Sequence, residues 1–415
     1  MNTCPHLAVR IRRETSLSES KALHAVVQVI AGLGLNIFPA IFIAVYARIA
    51  PIEVQGFLAL ALTVGVYVAQ LINAFIIEGR LATPGADQNF CLPIWIALLS
   101  VVSGALLIFG PTVAPHAVLL VSAIGLMTGM LVGRSIGMVS GRWKREAVAS
   151  MVLIVSGVAA LVLAVQRSGH SVRILALGAL AAILMRYLPR TPFGRSGLPP
   201  DLAKASWVTA ETAVVGSVVP ALTSAVLYAM GPAASVAFRV ISTVSGALEP
   251  IISYGRYRLL SHANKREAAI VGVIFVAGLV AVLVAAFGGF GRLVFGPAWS
   301  NVGVVALLLA CVWKGLMLLS TVPFAALRKA GETTVVFWVR AVSTVVYLAI
   351  GLAFLFIWHS TIAIFLAFVI AEIFTGILYR VVARRYIPDF EGVVDAAARK
   401  LRIGRRSATG GDGAQ

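Results

Sequence analysis

Twelve apolar runs, separated by short breaks that carry charge, proline or glycine, leave this chain few folds to choose from. They fall at about 22–46, 56–77, 92–110, 114–133, 147–165 and 172–188, then at 206–230, 233–253, 268–290, 301–325, 333–357 and 360–380. Each is close to the roughly 20 residues that a helix needs to cross the hydrocarbon core of a bilayer. Barrel strands are excluded because the runs are too long and too evenly apolar. Composition agrees: 60% of the 415 residues are hydrophobic and only 12% are charged, against about 25% charged in ordinary soluble domains. The expectation is an all-α integral membrane protein of about 12 transmembrane helices.

The breaks also orient the chain, because Lys and Arg concentrate on the cytoplasmic side of membrane proteins. With residues at span ends counted, alternate breaks and the two tails hold 27 of the 34 Lys and Arg. The opposite side holds four: Arg48, Arg167, Arg173 and Arg292. The other three lie inside spans. A missed helix would scramble this alternation, so the count supports both the number of spans and cytoplasmic N- and C-termini, in a plasma or inner membrane. The first 20 residues contain Arg10, Arg12 and Arg13 but no apolar run before a cleavage site, and do not read as a signal peptide.

Several classes of chemistry find no motif. The net charge of +18 sits in the loops and tails, which points away from nucleic acid. Cys4, Cys91 and Cys311 have no metal or disulfide spacing. No G-x-x-x-x-G-K-[ST], H-E-x-x-H, G-x-S-x-G or D-x-D sequence is present. The six histidines lie mostly in tails and loops without a catalytic grouping. No catalytic residue, metal site or cofactor is expected, and the chain does not read as an enzyme.

A shift of 181 residues aligns Pro39 with Pro220, Ala40 with Ala221, Ala44 with Ala225 and Val45 with Val226. It also aligns Pro51 with Pro232, Phe57 with Phe238 and Gly65 with Gly246. Span 1 thereby maps onto span 7 and span 2 onto span 8, in the same orientation. The expectation is two parallel six-helix lobes related by an axis normal to the membrane. The domain reading is an N-terminal tail over 1–21, a first lobe over 22–188 and a cytoplasmic linker over 189–205. A second lobe then covers 206–380 and a basic tail 381–415. Within that tail, Phe390, Val393, Val394, Ala397 and Leu401 share one helical face beside Arg399, Lys400 and Arg402. Either this is an amphipathic helix on anionic lipid, or it is a solvated tail that obeys the charge rule.

Ionisable groups inside spans are costly and usually face a cavity or a partner. The first lobe has almost none; its polar groups in spans 1 and 2 are Gln28, Asn36, Gln70 and Asn73, with Glu78 and Arg80 at the end. The second lobe carries Glu211, Arg239, Glu249, Lys314, Arg340 and Glu372. Lys314, about 18 Å from either end of its span at about 1.5 Å per residue, lies too deep to reach water by snorkelling. A water-filled cavity or an anionic partner is expected there. Arg340 and Glu372 fall at matching depths, which makes a salt bridge one reading and a functional pair the other. Glu211 and Glu249 are either gating carboxylates or interfacial groups, and Arg239 is either a cavity residue or a snorkelling one. Pro39 and Pro220 predict kinks in corresponding helices. Arg239, Lys314 and Arg340 together make a cationic translocation cavity, which suits an anionic cargo such as a diphosphate. Glu211, Glu249, Glu372 and Asn73 are the candidates for gating or ion coupling.

The segment Ala50-Pro-Ile-Glu-Val-Gln-Gly-Phe57 and its counterpart Met230-Gly-Pro-Ala-Ala-Ser-Val-Ala-Phe238 follow corresponding spans. Together with Val294-Phe-Gly-Pro-Ala-Trp299 and Ala325-Ala-Leu-Arg-Lys-Ala-Gly331, they resemble the Wzx-like polysaccharide repeat-unit flippases. These belong to the MATE-like MOP (multidrug/oligosaccharidyl-lipid/polysaccharide) superfamily. The resemblance covers most of residues 20–385. It implies two six-helix lobes, alternating access and a basic central cavity for an undecaprenyl-diphosphate-type oligosaccharide. The saccharide would move from the cytoplasmic to the outer leaflet for cell-surface polysaccharide biosynthesis. The implied partners are that lipid-linked saccharide, membrane lipids and components of a polysaccharide polymerase or export complex, with no nucleic acid. A nearly uncharged first lobe departs from the family's pattern.

Three alternatives compete. An ion-coupled multidrug or metabolite antiporter of the same fold would favour acidic residues in the first lobe. A major-facilitator transporter would carry a G-x-x-x-D-R-x-G-R-type loop after span 2, which Glu78-Gly-Arg-Leu-Ala-Thr-Pro-Gly-Ala-Asp87 does not match. A membrane-embedded transferase would need a long outer loop, and the outer loops here are short.

Overall fold

In a computed structural model of the chain, the apolar runs are helices. The structure describes residues 35, 38–81, 92–139, 142–187, 193–194, 199–249, 251–252, 265–330 and 332–387. The N-terminal tail, Gln28, Asn36, Pro250, most of the 189–205 linker and the proposed amphipathic tail lie outside these residues.

Twelve helices follow one another. They are α1 (Phe38–Ile49), α2 (Ile52–Leu81), α3 (Ile94–Phe109), α4 (His116–Val139), α5 (Trp143–Val165) and α6 (Ser171–Tyr187). Then come α7 (Leu202–Met230), α8 (Pro232–Gly246), α9 (Lys265–Ala285), α10 (Val304–Lys329), α11 (Thr333–Trp358) and α12 (Thr361–Tyr386). Among the described residues, eight helical segments are long and apolar enough to cross a membrane, and two shorter ones are apolar. A helix is the natural form because it satisfies its own backbone donors and acceptors where no water can. The only extended pairing among the described residues is two residues long, Leu92–Pro93 beside Phe193–Gly194. The chain is an all-α, multi-pass integral membrane protein.

Its outward surface has the chemistry of lipid contact. On α5, Val148, Met151, Val155, Val158, Val162 and Val165 recur every three or four residues, and each is more than half exposed. In water such a continuous apolar stripe would be an aggregation surface. The opposite face of α5 buries Ala149, Leu153, Ala160 and Ala164.

The chain divides into two compact units, residues 1–213 with 294–296, and residues 214–293 with 297–415. In the first, small residues bring helices together. A Cβ added at Gly65 of α2 would lie 2.7 Å from the backbone carbonyl carbon of Ala123 on α4. Between α3 and α4, Ser100 donates to the Gly125 carbonyl at 3.1 Å and Ser103 to that of Val121 at 3.1 Å. Close backbone approach and interhelical hydroxyl bonds hold helices in lipid, where apolar side chains gain nothing over lipid tails. In α1, Phe38, Phe42 and Tyr46 stack edge to face in sequence.

In the second unit, Phe238 of α8 stacks on Phe365 of α12 at 5.3 Å, and Trp313 of α10 meets Phe368 at 4.7 Å. Leu222, Val226, Ile241, Leu307 and Leu355 complete that core. The turn between α7 and α8 is a single residue. Gly231, at φ 85°, takes the left-handed conformation, and Pro232 opens the next helix where its missing N–H costs no bond. Pro51 stands in the equivalent place, immediately before α2, so the 181-residue repeat coincides at these turns. It does not extend to the packing of its last pair, because Gly246 has open space where Gly65 has a helix against it.

Candidate functional site

α7 is interrupted at Ser217, between helical stretches Leu202–Gly216 and Val218–Met230. Pro220, three residues on, supplies no N–H and its ring crowds the preceding turn. Carbonyls at the break take side-chain donors instead: Tyr67 of α2 donates to Ala213 at 3.0 Å, and Ser217 to Val214 at 2.8 Å. Glu211, expected in the second lobe, lies in the first compact unit with Tyr67. Pro39 is the second residue of α1 as described.

The second unit gathers most of the predicted charged residues near the middle of their helices. Lys314 is the eleventh of the 26 residues of α10, about 15 Å from the helix start. Its Nζ donates to Glu249 Oε1 at 2.6 Å and lies 4.1 Å from the centre of the Trp313 ring. The two partners are unequally covered: the Lys314 side chain is 6% exposed and that of Glu249 50%. Arg239 of α8 feels the Glu249 charge. Its Nε is buried without a hydrogen-bond partner among the described residues. Two cations thus share one carboxylate.

A second chain of bonds adjoins the first. Trp313 Nε1 donates to Tyr347 Oη of α11 at 2.9 Å, and Tyr347 donates in turn to Glu372 Oε2 of α12. Ser320 of α10 donates to the other oxygen of Glu372 at 2.6 Å. Glu372 is only 5% exposed. These bonds lie at one level because the short turns α10–α11–α12 make consecutive helices antiparallel.

The premise of matched depth for an Arg340–Glu372 bridge does not hold. α12 runs on to Tyr386, which places Glu372 14 residues from that end, whereas Arg340 is seven residues into α11. The Arg340 guanidinium lies over Phe324 at 4.5 Å. Asn73 sits in the first unit, immediately before a π-helical turn over Ala74–Glu78, and its Nδ2 is 3.3 Å from Glu78 Oε1. Its Oδ1 is buried without a partner among the described residues. Such wide turns often mark working sites in helices.

The sequence reading missed one cluster. Arg186 of α6 and Glu146 of α5 form a bidentate ion pair at 2.7 and 2.8 Å, with side chains 1% and 4% exposed. Tyr187 beside it donates to the Gly129 carbonyl of α4 at 2.9 Å. The first unit is therefore not free of buried charge, as its span interiors suggest. Glu146 falls just before the fifth apolar run and Arg186 near the end of the sixth. Their opposite signs at facing helix ends were the available signal.

No protein-family model matches the sequence, and no curated protein matches it. Solved structures do. A mutant of a Vibrio cholerae MATE transporter superposes with a TM-score of 0.50 at 14% identity, covering 91% of this chain and 98% of that one. A MOP superfamily transporter from Pyrococcus furiosus, described as having a binding pocket of reversed polarity, gives 0.47 at 16% identity over 87% and 95% of the two chains. An outward-facing multidrug resistance MATE family transporter gives 0.44 at 15% identity over 88% and 93%. The chain has a MOP-superfamily transporter fold.

Proposed function

We propose that this chain is a flippase that moves a lipid-linked oligosaccharide, carried on a polyprenyl diphosphate, from the cytoplasmic to the outer leaflet by alternating access. The observation that carries the proposal is the pair of cations, Lys314 and Arg239, sharing one carboxylate near the middle of the second unit. A lysine this far along an apolar helix is costly. A diphosphate repays that cost by charge-assisted hydrogen bonds, which strengthen away from water. A transporter fold supports passage of cargo rather than its chemical conversion. Cell-surface polysaccharide synthesis is the process that consumes such a cargo.

The antiporter reading has one observation in its favour. Glu372 is a buried carboxylate held by Tyr347 and Ser320, an arrangement suited to taking up and releasing a proton or metal cation. In the flippase reading the same group couples an ion gradient to cargo movement.

The test is reconstitution of the purified chain into vesicles with a fluorescent polyprenyl-diphosphate sugar and a membrane-impermeant quencher. Wild type is expected to move the probe between leaflets, and Lys314→Ala to lose most of that movement. Movement that is absent in wild type, or equal in the two proteins, refutes the proposal.

A further inference from the structure

We propose that Glu249 is a built-in competitor for the anion seat, holding Lys314 and Arg239 until the cargo's diphosphate displaces it. The inference rests on the reading of those two cations as the seat for an anionic cargo. It concerns what occupies the seat between cargoes.

The asymmetry of the ion pair decides which partner moves. Lys314 is almost wholly covered and is backed by the Trp313 ring at 4.1 Å. Withdrawing it would strip a charge of both its carboxylate and its aromatic face. Glu249 is half exposed, so it already keeps part of its hydration and loses little by turning outward. The carboxylate is the mobile half.

The backbone around Glu249 also permits it to move. Regular α8 ends at Gly246, and Ala247 and Leu248 form a turn. Pro250 follows in the sequence and has no N–H with which to continue a helical ladder. A Cβ placed on Gly246 would meet nothing within 4 Å. Glu249 is thus carried on a segment with few bonds to break, while Lys314 lies inside 26 continuous helical residues.

Stoichiometry gives the exchange its direction. One carboxylate faces two cations, and the Nε of Arg239 remains without a hydrogen bond among the described residues. A diphosphate has charge and oxygens enough for both, including the side-on donors of a guanidinium that a lone carboxylate on Lys314 leaves unused. A monoanion replaces Glu249 with no gain. The device therefore discriminates for diphosphates and keeps two unpaired cations from standing open within the bilayer. It also sets a cost on binding, since only the fraction of molecules with Glu249 turned out is competent.

The experiment measures binding of farnesyl diphosphate, as the probe, to the full-length chain in detergent. With about one molecule in ten competent at rest, Glu249→Gln is expected to bind about tenfold more tightly than wild type. Glu249→Asp keeps the charge but shortens its reach, and is expected to bind a few-fold more tightly (about threefold) by the same population argument. Lys314→Gln is expected to lose binding, and Glu249→Gln added to it should restore nothing. If Glu249→Gln does not fold, the Asp variant decides alone. Binding by the Glu249 variants equal to or weaker than wild type, with Lys314→Gln still defective, overturns the competitor and leaves the anion seat. Undiminished binding by Lys314→Gln overturns the seat itself.

Discussion

Removing either member of the Glu146–Arg186 pair should damage the first compact unit far more than removing both. The two charges meet through paired bonds of 2.7 and 2.8 Å, and neither side chain reaches solvent to any useful extent. At a charge separation of about 4 Å and an effective dielectric constant of about 20, the attraction is about 4 kcal/mol. Glu146→Gln abolishes it and leaves a buried guanidinium whose Nη1 already lacks a hydrogen bond among the described residues. The expected cost is about 3–5 kcal/mol, the range for a buried pair broken on one side. Arg186→Met should cost a similar amount by stranding the carboxylate. Glu146→Leu combined with Arg186→Met removes both charges and fills similar volume, so it should be neutral or stabilising. The assay is thermal unfolding in detergent. At about 2–4 °C per kcal/mol for a unit of this size, each single variant should melt about 6–12 °C below wild type. A double variant that melts as low as the singles would mean that packing around these residues, not charge, holds the helices. Singles that melt with wild type would mean that water reaches the pair and screens it.

Other positions make independent predictions. Gly65→Leu should prevent α2 from meeting α4, because even a Cβ would sit 2.7 Å from Ala123 backbone; the expected loss, about 1–3 kcal/mol or more, is read as a lower melting temperature. Tyr67→Phe removes the donor to the Ala213 carbonyl at the α7 break. It should destabilise by about 1–2 kcal/mol, with faster hydrogen exchange confined to residues near 213–217. Tyr347→Phe takes one of two described hydroxyl donors from Glu372. It should lower transport in the vesicle assay while leaving farnesyl diphosphate affinity within about twofold, since Glu372 makes no contact in the proposed seat; a parallel loss of binding would argue that the two clusters act as one.

The helices were legible in the sequence because bilayer thickness imposes one simple rule on every span. Their ends were not. Arg380, Arg384 and Arg385 read as the close of the last span, yet α12 carries them on to Tyr386. Charged heads at a helix end reach the interface without breaking the backbone ladder. That same extension moved Glu372 deeper than the count implied, and with it the partner suggested for Arg340. Lys314 announced itself by depth alone. Its partner Glu249, 65 residues away, depended on how α8 and α10 are rotated about their axes, which periodicity in an evenly apolar helix does not specify. Glu146 and Arg186 escaped notice for a related reason: span boundaries are drawn at the first charge, so a pair buried at helix ends is counted as loop.

The bonds linking Trp313, Tyr347 and Glu372 fix how far three helices can slide past one another. Each residue of travel along a helix is about 1.5 Å, and a 2.9 Å hydrogen bond such as that from Trp313 to Tyr347 fails within one such step. α10, α11 and α12 are thereby pinned in axial register at their midpoints. Any change of shape that leaves these bonds intact must carry the three helices together, tilting or turning as a block, and piston motion of one against the others has to break the pins first.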